Sequence, residues 1–169
     1  MASKKVVIAL DNSQACNKAV EFAVQHFPKG YTYHLLHVQP RPYDASSRIA
    51  QAEATGDGHA VLWDIEGTAV RMTEKIMQEV FVPRAKSSGA EVVAKMVHCS
   101  PDGTSSDIGA AICEYVEQIK PAALVLMKEN KGAIERVFVG SVTKYCAVHC
   151  RSPLIIVPAC SDYCAPLDP

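Results

Sequence analysis

The sequence predicts an α/β fold in which a single open, doubly wound sheet of five parallel strands carries helices on both faces. Two observations support this class: apolar runs of strand length, and segments of helical periodicity that alternate with them along all 169 residues. Strands that read as continuous apolar runs are buried on both faces, and parallel strands need helical crossovers between them. The chain length favours one core, so we expect one domain over residues 1–158.

The first half of the chain contains two strands with a helix between them. KVVIAL, residues 5–10, is the first strand, and YTYHLLHV, residues 31–38, is the second. Between them, apolar residues recur every three or four positions, and a proline and a glycine end the pattern. Asp11 or Ser13 in the DNS stretch is the expected N-cap of this helix.

A long connection is predicted after the second strand. Residues 43–62 mix small and polar types and show no sustained apolar period. We expect a loop there, followed by a helix that begins near Ile65 and runs to about Lys86. Pro83 lies inside this pattern and should kink or restart the helix.

The second half of the chain supplies three more strands and two helices. The strands are EVVAKMVH at 91–98, AALVLM at 122–127 and PLIIVP at 153–158. SSDIGAAICEYVEQIK places its apolar residues on one helical face, and SVTKYCAVHC forms the last helix. Residues 159–169 have no period and are expected to be a loose tail.

Charge and composition exclude several classes of protein. Seventeen Lys and Arg residues against eighteen Asp and Glu residues leave no broad basic face for nucleic acid. No apolar segment approaches the ~20 residues of a membrane span, and the N-terminus does not read as a secretory signal, so we expect a cytoplasmic protein. The seven cysteines are odd in number and scattered, and in a reducing compartment we expect free thiols.

The start of the last helix is the strongest candidate site that the residues themselves offer. The first turn of a helix presents unpaired N–H groups and a positive dipole end, and glycine lets a phosphate approach closely. Gly140, Ser141 and Thr143 fit an anion site of this kind. The alternative is that Ser141 simply caps the helix.

Metal binding and catalysis find no support in the sequence. His34 and His37 are three apart in a strand and should face opposite sides, so they cannot readily share a metal ion. We therefore predict no metal site. There is also no Ser, His and acid set, no paired carboxylate motif and no Walker loop, so no catalytic residue is assigned.

Three segments together resemble the universal stress protein family: VVIALDNS, LLHVQP and KGAIERVFVGSVTKYCAVHCRSPLIIVP. The resemblance covers essentially residues 4–158. It implies a five-stranded parallel sheet with an order like 3-2-1-4-5, and ATP binding through a loop written G-x-x-G-x9-G-[ST]. When that pattern is aligned on Gly140 and Ser141, its first two glycines fall on Met127 and Asn130.

The resemblance also implies roles for individual residues. Asp11 would lie near ribose or adenine, with Ala9 and Leu10 just before it, and Val38 would pack on adenine. Four residues would meet the phosphates through backbone N–H groups and hydroxyls: Gly140, Ser141, Val142 and Thr143.

The altered loop predicts weak binding of ATP or AMP. Asparagine tolerates the left-handed conformation that a loop glycine often adopts, so Asn130 should preserve the turn. Methionine tolerates it poorly, and if positive φ is required, Met127 would cost ~1–2 kcal/mol or shift the loop. We expect binding to survive, with the main defect at Met127.

The last strand predicts a homodimer. PLIIVP is short, apolar and bounded by prolines, and as an edge strand it would expose backbone groups unless another chain covered them. The resemblance points to the same strand. The residues of this expected interface are Pro153, Leu154, Ile155, Ile156, Val157 and Pro158.

Three functions remain open at the level of sequence. The first is a stress-response regulator that binds adenine nucleotide. The second is a dimeric interaction module of the same fold that binds no nucleotide, and the third is a weak phosphate-transferring enzyme. Doubly wound sheets host many functions, so fold alone does not choose among them.

Overall fold

The structure is a computed structural model that describes residues 4–27, 30–41, 59–128 and 140–158, with only the main chain at 59–66. Asn130, the predicted tail and residues 43–58 of the predicted loop lie outside these ranges. The strands are β1 Lys4–Leu10, β2 Tyr31–Pro40, β3 Glu91–Cys99, β4 Ala123–Lys128 and β5 Leu154–Pro158. The helices are α1 Cys16–His26, α2 His59–Ile76, α3 Val82–Lys86, α4 Ser105–Ile119 and α5 Ser141–His149.

The strands form one parallel sheet in the order β3-β2-β1-β4-β5, which confirms the predicted fold class and strand order. β1 is the central strand, and its Val6, Val7 and Ile8 side chains are completely buried. Since successive side chains point to opposite faces, both faces of this strand must be covered. That burial explains why β1 reads as an unbroken apolar run.

Two hydrophobic clusters cover the two faces of the sheet. One contains Val6 and Ile8 of β1 together with residues of α1, and it extends to Phe81 and Ala85 around α3. The other contains Val7 of β1 and residues of α4 and α5. The helices of the second cluster, α4 and α5, begin at the edge of the sheet where the strands end.

The start of α1 differs from the prediction. Its N-cap is Ala15, which makes no side-chain capping bond, so neither Asp11 nor Ser13 caps the helix. Instead, the Ser13 backbone N–H donates to Asp11 Oδ1 at 2.7 Å. This local turn uses the Asp11 carboxylate and delays the helix to Cys16.

The long helical segment also departs from the prediction at its start. α2 begins at His59, so the last four residues of the predicted loop are helical. The apolar residues in this first turn are consecutive, and consecutive residues give no helical period. Met77–Phe81 then forms a π-helical turn, and α3 begins at Val82 with Pro83 in its first turn. The prediction of a restart at Pro83 is confirmed, because proline is tolerated where its missing N–H is not needed.

Both ends of α4 have a distinct local geometry. Thr104 and Asp107 form a capping box: the Asp107 N–H donates to Thr104 Oγ1 at 3.2 Å, and the Thr104 N–H donates to Asp107 Oδ2 at 3.0 Å. At the other end Lys120 takes the left-handed conformation with φ of 50°. The predicted apolar face is confirmed, since Ile112, Tyr115 and Val116 are buried.

Two further findings concern the described residues only. None of their helices is long and apolar enough to cross a membrane. The five cysteines among them, Cys16, Cys99, Cys113, Cys146 and Cys150, are all free thiols.

Candidate functional site

The central strand β1 and its neighbour β4 separate toward their carboxyl ends. β1 stays in register with β2 up to the pair Leu10 and His37, whereas its register with β4 ends at Ile8 and Val125. β4 continues to Lys128 alongside β5. A crevice therefore opens between β1 and β4, at the point where strand order reverses, which is where open α/β sheets bind ligands.

A pocket of about 320 Å³ occupies this crevice. Its volume lies within the range of ~300–1,000 Å³ that small-molecule sites show. The structure brings nine of the ten sequence-predicted site residues to its walls. They are Ala9, Leu10, Asp11, Val38, Met127, Gly140, Ser141, Val142 and Thr143. The tenth, Asn130, lies outside the described residues.

Asp11 is the carboxylate that lines the pocket, and its environment keeps it ionised. Oδ1 accepts hydrogen bonds from the Ser13 N–H at 2.7 Å and from the Cys16 thiol at 3.1 Å. Burial raises the pKa of Asp11, but the hydrogen bonds from Ser13 and Cys16, together with the nearby His37, outweigh burial and lower it. At neutral pH the pocket therefore contains a negative group that can accept hydrogen bonds from a ligand.

Cys16 takes part in the site as a donor and not as a nucleophile. Its side chain is buried, and burial together with the charge of Asp11 raises the thiol pKa to about 12. Since the thiolate is the reactive form, Cys16 is unreactive near neutral pH. Its role is to hold the Asp11 carboxylate in place.

His37 is a pocket residue that the sequence analysis considered only for metal binding. Its Nδ1 lies 3.0 Å from the carbonyl oxygen of Leu10, and because a carbonyl only accepts, Nδ1 carries the hydrogen. The bond joins β1 and β2 at the last position of their register. A histidine that follows the apolar pair Leu35 and Leu36 near the end of the strand was the available signal.

Ser105, at the first position of α4, was also missed. Ser141 Oγ donates to Ser105 Oγ at 2.7 Å, so the beginnings of α4 and α5 meet at the pocket wall. The cap of α5 is Gly140, and Ser141 follows it as the first helical residue. The alternative that Ser141 merely caps the helix is therefore wrong.

Nothing in the described part of the structure requires glycine at position 140. Its φ is −52°, which any residue can adopt, and an added Cβ would lie 3.9 Å from its nearest neighbour, Thr143 Oγ1. Neither conformation nor packing thus requires the missing side chain. What glycine provides here is open space beside the first turn of α5.

Met127 does not carry the backbone strain that the sequence analysis considered. It lies within β4 opposite Val157, and Lys120 is the one described non-glycine residue with positive φ. The Met127 side chain packs against the cluster that contains Ile8 and Val125. The effect of having methionine and not glycine at this position must therefore come from its side chain.

The lining as a whole suits a ligand with one apolar part and one polar or anionic part. Leu36, Val38 and Ile112 make one wall apolar, while the first turns of α4 and α5 contribute hydroxyls and backbone N–H groups. Within the described ranges, no group of three or more His, Cys, Asp or Glu residues could hold a metal ion.

Comparison with known proteins places this chain in a known family. The model of the universal stress protein family matches residues 2–158. A universal stress protein A-like protein of Arabidopsis thaliana is 24% identical over 165 residues, which are 93% of this chain and 85% of the relative.

Two solved structures share the fold. One is a universal stress protein family protein from Arabidopsis thaliana with AMP bound, with a TM-score of 0.58, 18% identity and coverage of 97% of both chains. The other is the universal stress protein from Archaeoglobus fulgidus in complex with dAMP, with a TM-score of 0.57 and 16% identity, covering 92% of this chain and 98% of that one.

Proposed function

Because this chain belongs to the universal stress protein family, we propose that it is a cytoplasmic stress-response protein that binds adenine nucleotide, ATP or AMP, weakly in the β1–β4 crevice and works as a homodimer. The observation that carries the nucleotide part is the convergence of nine predicted site residues on one pocket. Two structures of this fold contain AMP and dAMP, which supports an adenine nucleotide as the ligand class.

The pocket offers a place for each part of a nucleotide. The apolar wall that includes Val38 accommodates the base, and the ionised Asp11 accepts hydrogen bonds from ribose hydroxyls. The phosphates lie at the start of α5, where helix N–H groups and the dipole favour negative charge. Gly140 favours that approach, because no side chain of the described residues fills the space beside it.

Weak binding is proposed because two glycines of the family loop are replaced by Met127 and Asn130. Met127 lines the pocket with a long side chain at the place where the family pattern has none. Its flexibility allows it to move aside, at a cost in ordering that reduces affinity. We propose dissociation constants of ~0.1–1 mM, equivalent to about 4–5.5 kcal/mol of binding free energy.

The test is calorimetry with ATP and with AMP on the natural chain and on the Met127→Gly, Asn130→Gly double variant. We expect binding to both forms and a roughly tenfold gain in the double variant, which corresponds to about 1.4 kcal/mol. Thermal unfolding of both forms is needed as a control, because glycine within a strand lowers stability.

The outcomes separate the three functions. Binding without release of phosphate supports the proposal. A stable dimer that gives no heat at millimolar nucleotide would replace it with an interaction module. Steady product formation that is lost in Ser141→Ala would replace it with a phosphate-transferring enzyme, and an unchanged affinity in the double variant would show that the two positions do not weaken binding.

A further inference from the structure

Three cysteines from two helices meet between α4 and α5, and we call them the α4–α5 thiol cluster: Cys113, Cys146 and Cys150. Cys146 and Cys150 are one helical turn apart at the end of α5, and all three pack with the same hydrophobic cluster. Cys146 and Cys150 both lie close enough to Cys113 to raise the pKa of its thiol. The sequence does not predict that these thiols are close together, because Cys113 lies on another helix.

Close packing of the two helices holds the thiol cluster together. A Cβ on Gly109 would lie 2.5 Å from Tyr145 Cδ1, so only glycine permits this approach of α4 to α5. Cys146 Sγ also donates to the Gly109 carbonyl oxygen at 4.0 Å. Together with the bond between Ser105 and Ser141, these contacts fix the register of the two helices. The proximity of the thiols is therefore a property of the helix pair and not of one side-chain rotamer.

The three thiols differ in access. Cys146 is completely buried and its thiol is engaged by Gly109, whereas Cys113 and Cys150 are half-buried. Cys150 follows the last residue of α5 and lies between the exposed His149 and Arg151. A small oxidant can therefore reach Cys150, and Cys113 is its accessible partner. Burial raises the pKa of Cys113, and the neighbouring thiols add to this effect, so Cys113 is in its thiol form near neutral pH and is not the cysteine that reacts first.

We propose that Cys113 and Cys150 are an oxidisable pair that a hydroperoxide converts to a disulfide linking α4 to α5. First, the Cys150 thiolate attacks one oxygen of the hydroperoxide; an S–O bond forms, the O–O bond breaks, and the leaving oxygen takes a proton. Next, the Cys113 sulfur attacks the sulfenic sulfur while its thiol proton passes to the leaving oxygen; an S–S bond forms, the S–O bond breaks, and the oxygen leaves as water. Two electrons pass from the two thiols to the hydroperoxide.

Formation of the disulfide between Cys113 and Cys150 does not depend on the proposed nucleotide function. Cys113 lies eight residues beyond Ser105 on α4, a distance of ~12 Å along the helix, and its neighbour Ile112 lines the pocket. Formation of the disulfide is measured by thiol chemistry without any ligand, and a failure of nucleotide binding would not bear on it.

The experiment uses the full chain with Cys160→Ser and Cys164→Ser, which removes the two thiols outside the described residues. Native protein is treated with hydrogen peroxide and then unfolded, so that every free thiol is alkylated. One half is digested without reduction to identify linked peptides, and the other half is reduced, labelled with a second reagent and digested for mass spectrometry. We expect two thiols to be protected from the first reagent and to appear in one peptide pair that joins Cys113 to Cys150. Cys113→Ser and Cys150→Ser should each abolish the pair, and Cys16→Ser should retain it.

Each other outcome overturns the proposal. Five free thiols after treatment, a bond from Cys113 to Cys146, or a bond between two chains would each show that the assigned pair is wrong. Peptide mapping of the natural sequence gives the same decision if a serine variant fails to fold. Equal yield of the pair in urea-unfolded protein would show that the folded helix packing is not its cause.

Discussion

Gly140 stands at the cap of α5, and neither its backbone nor its surroundings among the described residues require glycine. We therefore predict that Gly140→Ala leaves the thermal midpoint within about 2 °C of the natural protein, in line with a surface change of ±0.5 kcal/mol. If phosphate lies beside the first turn of α5, the added methyl group should weaken nucleotide binding at least tenfold. Calorimetry checks the affinity, and an unchanged affinity would place the phosphates elsewhere.

A second prediction concerns the buried histidine His34. Its Nδ1 lies 2.9 Å from the Tyr115 hydroxyl in the interior, and burial, with a further contribution from Lys5, lowers its pKa below the ordinary 6.5. The folded state then binds fewer protons than the unfolded state below pH 6.5, so stability falls as the pH drops from 7 to about 5. His34→Gln should flatten this part of the stability curve.

Urea unfolding at several pH values measures this slope. Asp11 does not interfere, because its pKa is lowered below 3.8 and it stays ionised over the window. His26→Gln, at an exposed histidine, is the matched control and should keep the natural slope. An identical slope in the His34 and His26 variants would contradict the assignment.

Among the elements, α4 ends on a residue that is poorly suited to its conformation. Lys120 has φ of 50°, and the left-handed region costs a residue with a Cβ about 1–2 kcal/mol. Glycine removes this cost at a helix end. We predict that Lys120→Gly raises the free energy of unfolding by ~1 kcal/mol. Lys120→Ala removes the same charge but keeps the Cβ, so an equal gain in that variant would assign the effect to charge.

The sequence predicts the positions of the strands better than it predicts the ends of the helices. The end of β5 is clear in sequence because its apolar run gives way after proline, whereas the predicted end of β2 at Val38 is wrong, because Gln39 and Pro40 still pair with β3. The start of α1 was misplaced because Asp11 can cap a helix or close a turn, and only the three-dimensional contact with Ser13 decides between these roles. The site followed the same rule: Gly140 and Asp11 carry local signals, whereas Ser105 and His37 join the pocket through pairings that sequence does not display.

For the whole molecule, the proposed dimer rests on the edge strand β5. Ile156 is 37% exposed on that strand, while Ile155 packs against the core cluster, so Ile156 is the position that tests an interface without damaging the fold. We predict that Ile156→Lys weakens dimerisation at least tenfold, about 1.4 kcal/mol. Sedimentation equilibrium measures the dissociation constant, with Met72→Lys, 58% exposed on α2, as control. If the natural chain is monomeric at micromolar concentration, the proposal of a dimer is wrong.

The parting of β1 and β4 after Ile8 and Val125 has a consequence for how this pocket should be probed. The facing edges of the two strands there are main chain, and an alanine variant keeps every N–H and C=O group of the residue it replaces. Alanine variants of Leu10 and Met127 would therefore understate what these positions offer to a ligand, and at Ala9 an alanine scan makes no change at all. Amide-to-ester replacement, which deletes one N–H and weakens one carbonyl at a chosen position, is the substitution to which such a surface responds.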